Sequence, residues 1–313
     1  MCVWKNKYSV NRYPIWNKPI IKILPGTQGN DLFVFTRDGY VHEVSGFDFK
    51  IMNSIKISEK SLSCVQEIAV RDARSFVVAD SDGNISRFTS SFEIPKVLGK
   101  KEAEVSAIEG IGRSRILISY PIKKFGCRVE MIDVHTGEVY ASLDFKSIWR
   151  IKDLCCPEHK KNRNDGYVMG VSDQEIITIN YKMFNLEEGG IQREKPEYYF
   201  DEIACDLTGF KVATKEIIGV DDEKKYDNVP YAYSEDDKIS TVTCKNNTFI
   251  LTEGNRIWIN VNLGKVKEFV ELEEGECFIT QHHDSNGRLL GGTFEGKLIL
   301  IDFRLNSLRF IFD

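Results

Sequence analysis

The amino-acid sequence predicts an all-β fold in which one small antiparallel sheet is repeated along the chain. Two observations carry this prediction: a recurrent hairpin pattern and a near-constant spacing between its turns. The composition agrees, because 42% hydrophobic and 28% charged residues among 313 are ordinary for a folded chain. It excludes a disordered or collagen-like chain, and no apolar run approaches the ~20 residues that span a bilayer.

The hairpin pattern is an apolar run that ends in an acidic or polar residue plus Gly, followed by alternating apolar residues. Residues 33–44 (FVFTRDGYVHEV) and 76–88 (FVVADSDGNISRF) are two copies. Further copies lie at 250–259, at 289–301, at 168–179 with Gln174 in the Gly place, and more loosely around Gly126. In such a hairpin, two strands of β-branched and aromatic residues meet at a tight turn, where Gly adopts a positive φ without steric cost.

The spacing of the turns sets the size of the repeat. The turns lie at residues 39, 83, 126, 174, 254 and 296, so the intervals are 44, 43, 48, 80 and 42. The long interval has room for one degenerate copy, which makes seven units of about 45 residues, the length of a four-stranded propeller blade. The sequence therefore predicts a single seven-bladed β-propeller of four-stranded antiparallel blades over residues 18–313.

Other strands are expected around these hairpins. Apolar segments before the hairpins predict innermost strands at 20–24, 65–70, 105–108, 151–155, 239–244 and 277–281. More polar alternating segments after them predict half-solvated outer strands at 51–57, 138–145, 266–272 and 307–312. Residues 186–237 have no assigned blade. Within them, residues 198–220 suit either strands or an amphipathic helix, and we favour strands because 217–220 (IIGV) is rich in β-branched residues.

Two segments are similar to the third-strand ending of a WD repeat. Residues 132–139 (IDVHTGEV) have Ile132 in the place of the signature Trp, and residues 300–304 have Ile301 there. The chain therefore resembles a divergent WD-repeat-like propeller. It has no Trp-Asp dipeptide and no Gly-His pair, so the family's Asp-His-Ser/Thr-Trp network is not expected, and PQQ-like or kelch-like repeat chemistry stays an alternative.

Residues 1–17 are interpreted as a basic, aromatic N-terminal extension. The first 30 residues include the bases Lys5, Lys7, Arg12 and Lys18 and no acidic residue. Such a segment can pack its aromatic side chains on the propeller rim, dock a partner, or bind nucleic acid through phosphate contacts and base stacking. Residues 221–237 have a net charge of −5 and are expected to form a solvated acidic loop.

The sequence carries few signs of chemistry. It lacks a phosphate-binding Gly-rich loop, a dinucleotide fingerprint and a nucleophile elbow. The segment at 155–159 (CCPEH) and the pair His282-His283 do not have the spacing of a zinc site. We therefore expect no metal, no cofactor, no small-molecule substrate and no enzymatic activity. The absence of a secretory signal and the cysteines within apolar runs predict a cytoplasmic or nuclear protein without disulfides.

The predicted function is a non-catalytic protein-interaction scaffold, a subunit of a larger intracellular complex. In the family it resembles, partners often dock on the face formed by the hairpin turns and by the loops leading into innermost strands. Here that face would display Trp149, Arg150, Arg37, Asp82, Asp173, Arg256 and Glu295. Trp149 and Arg150 lead because Trp and Arg anchor interfaces, although Trp149 could instead pack between blades and Asp82 could form only its turn.

The sequence also admits two other functions. One is an accessory role in nucleic-acid or RNP processing through the basic N-terminal arm, although the net charge of −5 opposes binding over the whole surface. The other, weaker one is a propeller hydrolase, which is disfavoured because the innermost strands are apolar rather than rich in ionisable side chains.

Overall fold

The computed structural model describes a defined part of the chain. The described residues are 9–14, 17–26, 31–70, 73–91, 93–112, 114–123, 126–157, 163–172, 175–193, 203–205, 211–213, 216–218, 239–245, 248–253, 255–261, 266–274, 276–283 and 288–302. Within them every regular element is a β-strand. The all-β prediction is therefore confirmed for this part of the chain.

The strands form repeated antiparallel sheets, which we number in chain order. Six sheets have four strands and sheet 5 has three among the described residues. Sheet 1 contains β2 (Ile20–Pro25), β3 (Leu32–Thr36), β4 (Tyr40–Val44) and β5 (Ile51–Lys56); sheet 2 contains β6 (Leu62–Val70), β7 (Ala73–Asp80), β8 (Asn84–Thr89) and β9 (Lys96–Lys100); sheet 3 contains β10 (Ala107–Ile111), β11 (Arg115–Ile122), β12 (Gly126–Asp133) and β13 (Val139–Phe145); sheet 4 contains β14 (Asp153–Cys155), β15 (Asp165–Val171), β16 (Glu175–Lys182) and β17 (Asn185–Arg193).

The remaining sheets follow the same order, in which successive strands are neighbours. Sheet 5 contains β18 (Ile203–Cys205), β19 (Lys211–Ala213) and β20 (Glu216–Ile218); sheet 6 contains β21 (Ile239–Lys245), β22 (Thr248–Glu253), β23 (Arg256–Val261) and β24 (Val266–Glu271); sheet 7 contains β25 (Phe278–His283), β26 (Arg288–Thr293), β27 (Lys297–Asp302) and β1 (Ser9–Pro14). The six predicted hairpins are the second and third strands of sheets 1, 2, 3, 4, 6 and 7. Their turns at Gly39, Gly83 and Gly296 have positive φ, as predicted.

The segment 186–237, to which the sequence assigned no blade, contributes strands to two sheets. Residues 185–193 form β17, the outer strand of sheet 4, which pairs with β16 over its whole length. The degenerate copy is sheet 5, whose three short strands agree with the preference for strands over a helix. The acidic residues 221–237 lie outside the described residues.

The chain divides into two compact units, described here separately. The first is Met1–Thr36, His42–Asn53 and Val229–Asp313, and the second is Arg37–Val41 and Ser54–Asn228. In both, the apolar core lies between successive sheets. In the first unit, Leu289 packs with side chains of sheet 6, whereas its neighbour Leu290 packs with side chains of sheet 1. In the second unit, Ile116 packs with side chains of sheet 2 and Leu117 with side chains of sheet 4. Because successive side chains of a strand point to opposite faces, these sheets are apolar on both faces.

The N-terminal segment includes a strand of sheet 7. β1 pairs antiparallel with β27, with Ser9 opposite Asp302 and Pro14 opposite Lys297. Residues 9–14 of the predicted extension therefore belong to a sheet, in which they are the strand beyond β27. The sequence did not predict this pairing because it joins distant parts of the chain, which a local pattern does not reveal. Residues 307–312, predicted as an outer strand, lie outside the described residues.

An ion pair between Arg12 and Glu276 joins β1 to the loop before β25. The Arg12 guanidinium donates from Nε to Glu276 Oε1 (2.8 Å) and from its terminal nitrogen to Oε2 (2.9 Å). The Glu276 side chain is 2% exposed. Burial alone would raise the pKa of Glu276, but the hydrogen bonds from Arg12 and from the Glu273 amide, with the charges of Arg12 and Lys297, outweigh burial and lower it.

We predict that Arg12→Met lowers the free energy of unfolding by about 2 kcal/mol near neutral pH, because it leaves a buried carboxylate without its guanidinium. The lowered pKa of Glu276 stabilises the fold above the unfolded-state glutamate pKa of 4.5, and this contribution is lost as the pH falls through the folded-state value. Denaturant titrations at several pH values should therefore show the deficit shrinking in acid. Glu273→Gln is the control, since Glu273 is 70% exposed; an equal deficit in both variants would contradict the prediction.

Candidate functional site

In the second unit, the loop between β5 and β6 is held by two hairpin turns. The amides of Ile57 and Leu62 donate to the carbonyls of Gly39 and Arg37, each at 2.8 Å. On the other side, the Ser81 amide donates to Ser61 O (2.8 Å). Gly39 has a φ of 93°, and a Cβ there would lie 2.0 Å from Ser58 O. The turn and the loop are therefore in direct backbone contact.

A carboxylate organises the next hairpin turn. Asp80 Oδ1 accepts the amides of Asp82 and Asn84 (3.0 Å each), and Oδ2 accepts the Ser58 hydroxyl (2.9 Å). Asp82, a predicted contact residue, is exposed in this turn, and its carboxylate pairs with Lys60 at 3.2 Å. Asp82 thus has a role in the turn that needs no partner.

The loop between β13 and β14 presents the two leading candidates. Trp149 is 57% exposed and Arg150 is exposed, whereas the flanking Ile148 and Ile151 are 1% and 0% exposed. Both isoleucines belong to the apolar core between sheets 3 and 4. The two outer residues of the segment 148–151 therefore anchor the loop, and the two residues between them are exposed to solvent.

Hydrogen bonds hold the same loop to its surroundings. The buried Ser106 hydroxyl donates to Ile151 O (2.7 Å), and the Lys152 amide donates to Val171 O (2.7 Å). These bonds order the backbone that carries Trp149 and Arg150. Because this backbone is ordered before a partner binds, less conformational entropy is lost on binding.

The charge of Arg150 acts on the innermost strands. The Cys64 thiol, on β6, donates to Val105 O (3.3 Å). Burial raises the pKa of this thiol to about 12; the negative charge of Asp153 adds to the rise and the positive charge of Arg150 opposes it. Arg150 therefore lies within electrostatic reach of β6, and the thiol is protonated and unreactive at neutral pH.

The other predicted residues have varied positions. Arg37 is exposed in the second unit, and Glu295 is exposed in a hairpin turn of the first unit. Arg256 begins β23. Asp173, Lys5 and Lys7 lie outside the described residues, Lys18 is exposed, and Arg12 forms the ion pair with Glu276.

Two buried arginines escaped the sequence analysis. Arg115 begins β11 and donates to Met183 O and to Asn164 Oδ1 (3.1 Å), and Arg288 begins β26 and donates to Gly46 O (3.1 Å). Each carbonyl acceptor lies in the turn before the last strand of another sheet. A single arginine at a strand start gives no signal of this role, because arginines there are also common on solvated surfaces.

Among the residues that the structure describes, no group of three or more His, Cys, Asp or Glu side chains could hold a metal ion. That part of the chain also has no helix with the length and apolar character needed to cross a bilayer.

Comparisons with known proteins identify the fold. No protein-family model matches the chain, and no curated protein matches it in sequence. Among solved structures, the WD40 domain of Neurospora crassa Pan2 superposes with a TM-score of 0.71 at 13% identity, over 96% of each chain. The computationally designed Ika8 protein gives a TM-score of 0.63 at 11% identity, over 91% of this chain and 96% of that one.

At these identities the likeness shows the fold alone. The chain has the fold of a divergent WD-repeat-like β-propeller, as its turn spacing predicted.

We predict that substitutions of the buried and of the exposed residues in the segment 148–151 lower the free energy of unfolding by different amounts. Ile151→Ala should lower the free energy of unfolding by about 2–5 kcal/mol, because it empties space in the core. Trp149→Ala should lower it by less than about 1 kcal/mol, since more than half of the side chain is already in water. Denaturant unfolding of both variants measures this; a large loss for Trp149→Ala would show that Trp149 packs between sheets.

Proposed function

We propose that the protein is a non-catalytic interaction scaffold, which binds a protein partner through the loop that presents Trp149 and Arg150. The observation that supports it is a large aromatic side chain, 57% exposed, between two fully buried isoleucines. Trp and Arg are among the commonest interface anchors, because Trp buries a large apolar area and Arg donates several hydrogen bonds. The WD40-type fold supports a scaffold function as well.

A scaffold role fits the polar groups around this loop. In the described part of the second unit, three polar side chains near the inner strands bond to backbone groups: Cys64 donates to Val105 O, Ser106 donates to Ile151 O, and Asp153 accepts the Ile203 amide (2.9 Å). These contacts stiffen the strands. The subunit would belong to a complex in the cytoplasm or nucleus, where its partner is another protein subunit.

The nucleic-acid alternative has less support. Of its four candidate bases, Arg12 is bound to Glu276, and a guanidinium in a bidentate pair is not available to a phosphate. The described strand that carries it is itself part of sheet 7. The basic arm is therefore a weaker candidate than the Trp149 loop.

Affinity purification with quantitative mass spectrometry tests the proposal on the full chain. We expect the wild-type protein to recover at least one partner in stoichiometric amount, and Trp149→Ala/Arg150→Ala to recover at least about tenfold less, since hot-spot residues contribute 2 kcal/mol or more. Phe47→Ala is the matched control, because Phe47 is 96% exposed and lies in the first unit.

Each outcome is decisive. Equal recovery with wild type and the double variant would refute the Trp149 loop as the binding surface. The absence of any stoichiometric partner would refute the scaffold function itself.

A further inference from the structure

The loop that presents Trp149 carries an excess of positive charge. Residues 146–152 (KSIWRIK) contain three bases and no acidic residue. Lys146 and Arg150 are exposed, and Lys152 is half-buried. We call residues 146–152 the basic loop. On a chain with a net charge of −5, this is a local reversal of sign.

The hairpin turn between β11 and β12 of sheet 3 adds a fourth base, Lys123. Lys123 is exposed in the turn that follows β11. The strand that follows this turn begins beside the basic loop, because a Cβ on Gly126, the first residue of β12, would lie 3.4 Å from the Lys146 Cα. Lys123 therefore extends the positive surface at this end of sheet 3.

Two carboxylates of sheet 3 are already engaged. Asp144 accepts two hydrogen bonds from Arg128, at 2.6 and 2.9 Å. Glu130 accepts from Lys101 (2.6 Å) and from the Tyr120 hydroxyl (2.8 Å). These pairs cancel their own charges and leave the excess of the basic loop in place.

Asp153, which follows the basic loop, is also engaged, since it accepts the amides of Leu154 and Ile203, each at 2.9 Å. Within the described residues, Lys123, Lys146 and Arg150 form no ion pair. Asp153 and the exposed Glu104 keep their negative charges and act on the same Cys64 thiol as Arg150. The three exposed bases outnumber them, so the net charge around Trp149 is positive and complementary to a negative partner.

We propose that the occupant of the basic loop is an acidic peptide segment of a partner protein, with an apolar side chain against Trp149 and carboxylates facing Lys123, Lys146 and Arg150. This inference rests on the proposed function, because it names the chemistry of the partner for the same surface. Trp149 supplies buried apolar area, and the bases supply selectivity and a faster encounter.

The charge distribution favours a peptide over nucleic acid. A nucleic acid carries a charge at every phosphate and needs an extended basic stripe, whereas this surface is a short cluster on an acidic protein. A peptide with a few carboxylates around one apolar residue matches both the size of the cluster and its single exposed tryptophan.

An unbiased selection tests the proposal. A random 12-residue peptide library displayed on phage is selected on the wild-type full chain, and enriched sequences are synthesised for titration calorimetry. We expect enriched peptides to be acidic and to contain an aromatic or aliphatic residue. Their affinity should fall at least about tenfold in Lys146→Glu/Arg150→Glu and in Trp149→Ala, and it should weaken several-fold when salt is raised from about 50 to 300 mM.

The control variant has the same change of charge elsewhere. Lys96→Glu/Lys182→Glu reverses two exposed lysines at the start of β9 and the end of β16. It should leave the affinity within about twofold of wild type, because neither lysine belongs to the basic loop or to the hairpin turn that carries Lys123. An equal loss in this variant would show that only net charge matters and would overturn the proposal.

The remaining outcomes separate the two proposals. Peptides that require Trp149 but have no acidic excess would overturn the acidic partner and leave the interaction loop standing. A library with no Trp149-dependent binder would overturn both. A 15-nucleotide single-stranded DNA that binds the basic loop more tightly than the best peptide would overturn the peptide in favour of nucleic acid.

Discussion

The structure depends on one constraint: its small sheets are apolar on both faces, and both faces have to be kept from water. The second strand of a sheet shows this most clearly, since β3 and β26 are buried along their whole length. Outer strands differ, and in β5 five of six residues are exposed. A sheet of this kind is stable only with a neighbour on each face, which is what a repeated series of sheets provides.

The same constraint determines where binding residues can lie. Side chains on the sheet faces are used for packing, so turns and connecting loops present the remaining ones. The connecting loops are ordered by their anchors, as Ile148 and Ile151 show. Without the Trp-Asp chemistry of standard WD repeats, the chain uses other polar links between loop and turn. The bond from Ser58 to Asp80 is one of them, and the bonds that Asp80 accepts from its own turn are others.

Much of the architecture could be predicted because its determinants are local. The Gly turns and the alternation of apolar residues lie within ten residues of one another, and they located most inner strands and hairpins correctly. The outer strands β9 (KVLGK) and β17 (NLEEGGIQR) were missed because a solvated strand at the edge of a sheet needs no apolar pattern. The pairing of β1 with β27 was missed because the partners are almost 300 residues apart.

The candidate site was predictable only in part. The sequence identified Trp149 and Arg150 from residue type and from their position in a connecting loop. It did not give their exposure, which depends on the packing of Ile148 and Ile151 against sheets 3 and 4. It also missed Lys123, because the close approach of Gly126, three residues further on, to the Lys146 backbone is not visible in the sequence. Arg12 was a candidate for the nucleic-acid alternative, and its ion pair was not predicted because its partner Glu276 is remote in sequence.

Adjacent residues of β11 test the two-faced burial most directly. Ile116 and Leu117 are both 0% exposed and pack on opposite faces of sheet 3. The free energy of unfolding of Ile116→Ala and of Leu117→Ala, from denaturant titration, should fall by about 2–5 kcal/mol in each case, because each substitution opens a cavity between two sheets. A loss below about 1 kcal/mol for either variant would show that one face of the sheet is solvated, and it would contradict the account.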